Sequence, residues 1–112
     1  MAARSNDPVR GRTIRFSWSE GPTKGKAYDH IFHEDGTVEF HAVPQAQPRA
    51  EPPERPQYCN VAVNDKVRLV SYLSKSGYTL TVALNFDDSA MVGVASNDKS
   101  WFPVRGSFEV LR

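Results

Sequence analysis

From residue 12 onward the chain alternates apolar and polar positions in short runs separated by turn residues, the period of half-buried strands and not of helices. A first strand over 13–18 places Ile14, Phe16 and Trp18 on one face. A second over about 26–33 places Tyr28, His30 and Phe32 inward, and a third over 37–43 does the same with Val38, Phe40 and Ala42. Strands over 58–64 and 66–74 meet at Asn64-Asp65, and Ser76-Gly77 leads into the cleanest alternation, Tyr78, Leu80, Val82, Leu84 and Phe86. Two further turns, Asp87-Asp88-Ser89 and Asn97-Asp98-Lys99, flank a strand over 91–96. A last strand over 104–111 turns Val104, Phe108 and Val110 inward.

About eight short strands predict an all-β fold, a small antiparallel up-and-down barrel, because closure removes unpaired edges. The hairpin at Asp35-Gly36 tests the register. A two-residue turn would set inner residues against outer ones. A three-residue loop, 34–36, pairs His33 with Thr37 and Phe32 with Val38, and puts Gly36 where a left-handed position favours glycine.

Residues 1–11 read as a loose tail ahead of one domain over 12–112. Residues 44–57, PQAQPRAEPPERPQ, hold five prolines and no aliphatic residue larger than alanine, so they read as an extended loop. Trp101-Phe102-Pro103 reads as a cap on one barrel end, placed between strands.

Composition narrows the function classes. With 24% charged residues, a net charge of +1 and no basic stripe, nothing draws the chain to nucleic acid or to an acidic membrane. A single cysteine, Cys59, excludes an internal disulfide framework and fits a reducing compartment. The start MAARSNDPVRGR carries no secretion signal, and no apolar run is long enough to span a bilayer, so a cytoplasmic protein is expected.

The phrase Gly21-Pro22-Thr23-Lys24-Gly25-Lys26-Ala27-Tyr28-Asp29-His30-Ile31-Phe32, followed by Asp35-Gly36-Thr37-Val38, resembles the MoaF-like family (molybdenum cofactor biosynthesis protein F). Val70-Ser71-Tyr72-Leu73-Ser74, Gly77-Tyr78-Thr79-Leu80-Thr81 and Gly106-Ser107-Phe108-Glu109 continue the likeness, which spans roughly 12–111 and lapses in the proline-rich loop. The resemblance implies a calycin, or lipocalin-like, barrel; the family name associates it with molybdopterin biosynthesis and implies no settled reaction. A more distant likeness is to the phenolic acid decarboxylases, cofactor-free enzymes on a similar barrel. Their paired first-strand tyrosines correspond here to Phe16 and Trp18, so both hydroxyls are missing, and no arginine replaces theirs.

His30 is the most informative titratable position, since the alternation buries it between Tyr28 and Phe32. A buried histidine bonded to a nearby tyrosine is the favoured reading, ahead of an acid/base group. Phe16, Trp18, Tyr28, His30, Phe40 and Tyr58 are the expected cavity lining, with His30 and Asn60 orienting a ligand. Ser71 and Tyr72 are both candidates: Val67, Leu69 and Leu73 argue for Ser71 inside, and a bulge would bring Tyr72 in instead.

Other patterns carry less. His30 and His33 point to opposite faces of a strand and cannot share an ion, and His41 is expected opposite Asp29 as an outer pair. No metal and no cofactor is therefore expected. Gly21–Lys26 has three residues between its glycines, not four, and precedes a strand, so it reads as a rim loop and not a phosphate loop. Cys59 reads as a structural thiol.

Three functions follow. The first is a binding module for a small, partly aromatic or apolar molecule. The second is a cofactor-free lyase or isomerase with His30 as acid/base. The third is a homodimeric interaction protein using strand edges or the proline-rich loop.

Overall fold

The structure is a computed structural model that describes residues 7–43, 55–74 and 76–112. Eight strands follow in chain order: β1 (Thr13–Glu20), β2 (Ala27–Phe32), β3 (Val38–Val43), β4 (Tyr58–Ala62), β5 (Val67–Leu73), β6 (Thr79–Asn85), β7 (Ala90–Ser96) and β8 (Trp101–Val110). Every pairing is antiparallel, and the order across the sheet is β3-β2-β1-β8-β7-β6-β5-β4. The expected all-β architecture of eight strands is present, curled into a half-barrel.

The first and last strands of the chain pair with each other at the centre of the sheet, so the two end strands are β3 and β4. Among the described residues these ends meet at one point. Thr37 bridges Gln57, the Val38 amide donates to the Pro56 carbonyl (2.9 Å), and the Tyr58 amide donates to the Gly36 carbonyl (3.0 Å).

The three-residue loop has the expected form. Phe32 stands opposite Val38, the His33 amide donates to Thr37 (2.8 Å), and Gly36 has φ of 92°. A side chain at that φ would be strained, which is why glycine stands there. Curvature has a separate source. A Cβ built on inward-facing Gly106 of β8 would collide with the Ser17 carbonyl oxygen, and one on Gly93 of β7 with that of Thr81. The sheet pinches where neighbouring backbones approach this closely, as bent barrel strands require.

Inside lie Ile14, Phe16, Trp18, Phe32, Val38, Val70, Val82, Leu84, Met91, Val104 and Phe108, close to the alternation read from sequence. Three expectations need correction. Val9 is fully buried, and the Gly11 amide donates to the Phe32 carbonyl (2.7 Å), so residues 7–11 pack against the barrel and are not a loose tail. Residues 1–6 lie outside the described residues, as do 44–54 of the expected loop. Trp101-Phe102-Pro103 is the start of β8 and not a segment between strands: Trp101 is 71% exposed, and only the Phe102 ring lies near the rim, 6.2 Å from that of Tyr78. Val110 and Ala42 face inward as expected, opposite Ile14 and Tyr28, and are exposed only because they lie at strand ends.

The third correction concerns β5. Its register with β6 runs unbroken from Val67 to Leu73, with no bulge. Val70 and Tyr72 face in, while Leu69 and Leu73 are exposed. Ser71 faces out, where its hydroxyl bonds that of Thr81 (2.8 Å). The apolar outer row of β5 misled the alternation reading, because apolar residues there cover the outside.

Candidate functional site

Alternation along β1, β2, β3 and β5 converges on a cavity of about 500 Å³ at the end of the barrel formed by the β1–β2 and β5–β6 connections. Its walls are Trp18, Tyr28, His30, Phe40, Tyr72, Leu80, Ala95 and Val104, and its rim is Pro22, Thr23, Ser74, Ser76 and Tyr78. No Asp, Glu, Lys or Arg is among these described residues.

His30 forms the inner wall. Its ring stacks on Phe16 with centroids 4.0 Å apart, and Phe40 and Tyr72 flank it at 5.8 and 5.7 Å. Nδ1 lies 3.3 Å from the Tyr28 carbonyl oxygen, which can only accept, so Nδ1 carries the ring proton. Nε2 is then an acceptor, and the Tyr72 hydroxyl 2.9 Å away donates to it. Burial pushes the His30 pKa down to about 4, so the imidazole is neutral at physiological pH. The buried histidine bonded to a tyrosine is thus present, with Tyr72 as the tyrosine.

The opposite end of the barrel is closed by a polar cluster. The Asn60 amide donates to Asp7 (2.7 Å), Arg68 approaches Asp7 at 3.8 Å, and the Val9 amide donates to the same carboxylate (2.8 Å). Burial works against the ionised Asp7. The bonds from Asn60, Val9 and Arg10 and the charge of Arg68 outweigh it and hold its pKa below the ordinary value.

The expected lining residues therefore divide. Trp18, Tyr28, His30, Phe40 and Tyr72 meet at the cavity. Phe16 lies behind His30, fully buried. Tyr58 packs edge-on against Phe32 (5.1 Å), and its hydroxyl donates to the His33 carbonyl (3.2 Å), away from the cavity. Asn60 belongs to the closed end and cannot orient a ligand in the cavity. Ser71 is outside the barrel altogether. Pro22 and Thr23 stand on the rim, where the loop at 21–26 was expected, while sequence reasoning missed Ser74 and Ser76, whose turn composition marked them only as a connection.

On the outer face, His41 stands opposite Asp29 as expected, but each bonds elsewhere. Asp29 pairs with Arg15 (2.7 Å), while His41 and His33 bond the two oxygens of Glu39 (2.8 and 2.9 Å).

These features define an all-β, half-barrel protein with one mouth filled by a polar cluster and, at the other, an aromatic-walled cavity whose described lining residues carry no formal charge. No family model and no curated protein matches the chain. Among solved structures it is similar to the crystal structure of a Burkholderia vietnamiensis protein described as a "putative beta-lactamase", with a TM-score of 0.73 and 14% identity. The match covers 96% of this chain and 100% of that one. At that identity the likeness shows the shared fold. No helix among the described residues is long and apolar enough to cross a membrane.

Proposed function

We propose that the barrel is a binding module for a small, uncharged, partly aromatic molecule held in the cavity beside His30. One observation carries this reading: about 500 Å³ of space walled by Trp18, Tyr28, Phe40, Tyr72, Tyr78 and Leu80, with no formal charge on any described lining residue. Aromatic walls with a few hydroxyls at the rim suit a planar ligand bearing one or two polar groups. A ligand carboxylate would find no cation among those residues, and the neutral His30 ring would not supply one, so charged analogues are disfavoured.

The motifs from Gly21 to Val38 and from Val70 to Thr81 support placing this module with the MoaF-like barrels, and the lone Cys59 supports a cytoplasmic site of action. The name carried by the Burkholderia protein is not extended to this chain, because catalysis resides in particular residues and not in a fold.

The test uses naphthol and naphthoate, which share a ring system and differ in charge. Trp18 is the cavity reporter, isolated by a Trp101→Phe background. Naphthol should change Trp18 emission and raise the Tm, and naphthoate at neutral pH should do neither. Equal binding of the two, or of neither, would sink the proposal.

A second reading, a cofactor-free lyase or isomerase, has one observation in its favour: Tyr72 bonds His30, supplying the partner such chemistry needs. It ranks second because a base with a pKa of about 4 is poorly matched to proton abstraction near neutrality. An unaltered turnover rate in His30→Ala would remove it.

A further inference from the structure

Away from the cavity, the outside of the barrel is divided by charge. Outward positions on β1–β3 carry Arg15, Asp29, Glu39 and His41, of which Arg15 and Asp29 form an ion pair and Glu39 is hydrogen-bonded by His41 and His33. Outward positions on β4–β7 carry no Asp, Glu, Lys or Arg at all. Pairing aligns them in rows. Val61 faces Leu69, Leu69 faces Ala83 and Ala83 faces Val92 in one row; Ser71, Thr81 and Val94 follow in the next. Val61, Leu69, Leu73, Val92 and Val94 are 38–69% exposed, so this is an apolar face and not a scatter of single residues.

We infer that this face is the contact by which two copies of the chain associate, sheet against sheet. Three arguments select a second copy as the occupant. A partner recognised by charge would find nothing to grip on β4–β7, and Arg105 of β8, opposite Val92 at the edge of the face, is already paired with Glu20 (3.7 Å). The face therefore meets itself without repulsion, as a two-fold interface requires. The dimensions also suit: four strands at about 4.8 Å and seven residues at about 3.3 Å give a footprint on the order of 450 Å². Side-chain relief, with Trp101 and Pro103 of β8 extending the edge, brings it toward the roughly 600 Å² per partner at which stable interfaces begin. Finally, valine-rich sheet faces interdigitate at about 10 Å separation with strands nearly aligned. Residues 44–57 offer no better cover, because they contain no aliphatic side chain larger than alanine.

The experiment is sedimentation of the full chain across a concentration series, with Cys59, exposed on β4 of this face, as a thiol-reactivity probe. Wild type should move from monomer to dimer below the millimolar range, with Cys59 labelling slowing in parallel. Val92→Glu and Leu69→Glu place a charge twice in a two-fold contact, so each should remain monomeric throughout with an unchanged circular dichroism spectrum. Ser17→Glu, on the charged half of the barrel, should dimerise like wild type. The inference is overturned by a wild type that stays monomeric, by one that floats with neutral phosphatidylcholine vesicles instead of dimerising, or by dimers that persist in folded Val92→Glu and Leu69→Glu. Ligand binding in the cavity is read separately through Trp18, so failure here leaves that reading standing.

Discussion

The two ends of this barrel are made by the same eight strands and do opposite things. At one end Val9 is driven into the core, and Asp7, Asn60 and Arg68 satisfy one another over it, closing the barrel. At the other, the polar groups are hydroxyls at the rim, the rings stand back against the walls, and about 500 Å³ stays open. Polar residues on an inner face therefore do not by themselves mark a binding site. Where a carboxylate, an amide and a guanidinium find each other they act as a plug; where hydroxyls face an unfilled volume they are left for a ligand. His30 lies between the two regimes, its one ring donor and one acceptor already committed to Tyr28 and Tyr72.

Breaking the packing near the closed end should have the largest effect. Phe32 is fully buried against Phe16 and Tyr58, and Phe32→Ala removes a ring that the surrounding strands cannot replace. A loss of roughly 3–5 kcal/mol is expected, measured by urea denaturation.

The next effect is set by pH. His30 titrates at about 4 when folded against an ordinary 6.5, so between these values the unfolded chain binds more of this proton. The contribution is fully present above pH 6.5, falls away through that window, and amounts to roughly 3 kcal/mol. Asp7 and Glu39, whose pKa values are lowered, add losses of the same sign at still lower pH. His30→Gln should flatten the stability curve between pH 6.5 and about 4. A variant curve parallel to wild type there would show that His30 is not the group responsible.

The smallest contrast compares the two polar sets directly. Asp7→Ala leaves Asn60 and Arg68 without their carboxylate and should cost roughly 1–3 kcal/mol. Ser76→Ala, at the exposed rim of the open end, should stay within about 0.5 kcal/mol. Thermal melts of both variants would erase the distinction if their shifts were alike.

Strand number, the inward set on β1 and β2, and the 34–36 loop were all legible before the structure, because a period of two and a glycine at positive φ are local properties. Ser71 and Tyr72 were not resolved. Faces are assigned from apolar residues, and on β5 the outward row of Leu69 and Leu73 is apolar too, so local pattern pointed the wrong way. Tyr58 and Asn60 were inward as read, yet neither reaches the cavity, because alternation gives the face and not the height along the barrel.

The amino-acid sequence alone determined that this protein is a curled antiparallel sheet with His30 among aromatic rings, since side-chain period and turn chemistry act over a few residues. Only the tertiary structure decided which end is sealed, that Tyr72 is the partner of His30, and that β4–β7 present an uncharged outer face. Those outcomes depend on strand stagger and on contacts between residues far apart in the chain, such as Asp7 with Asn60, which no local pattern encodes.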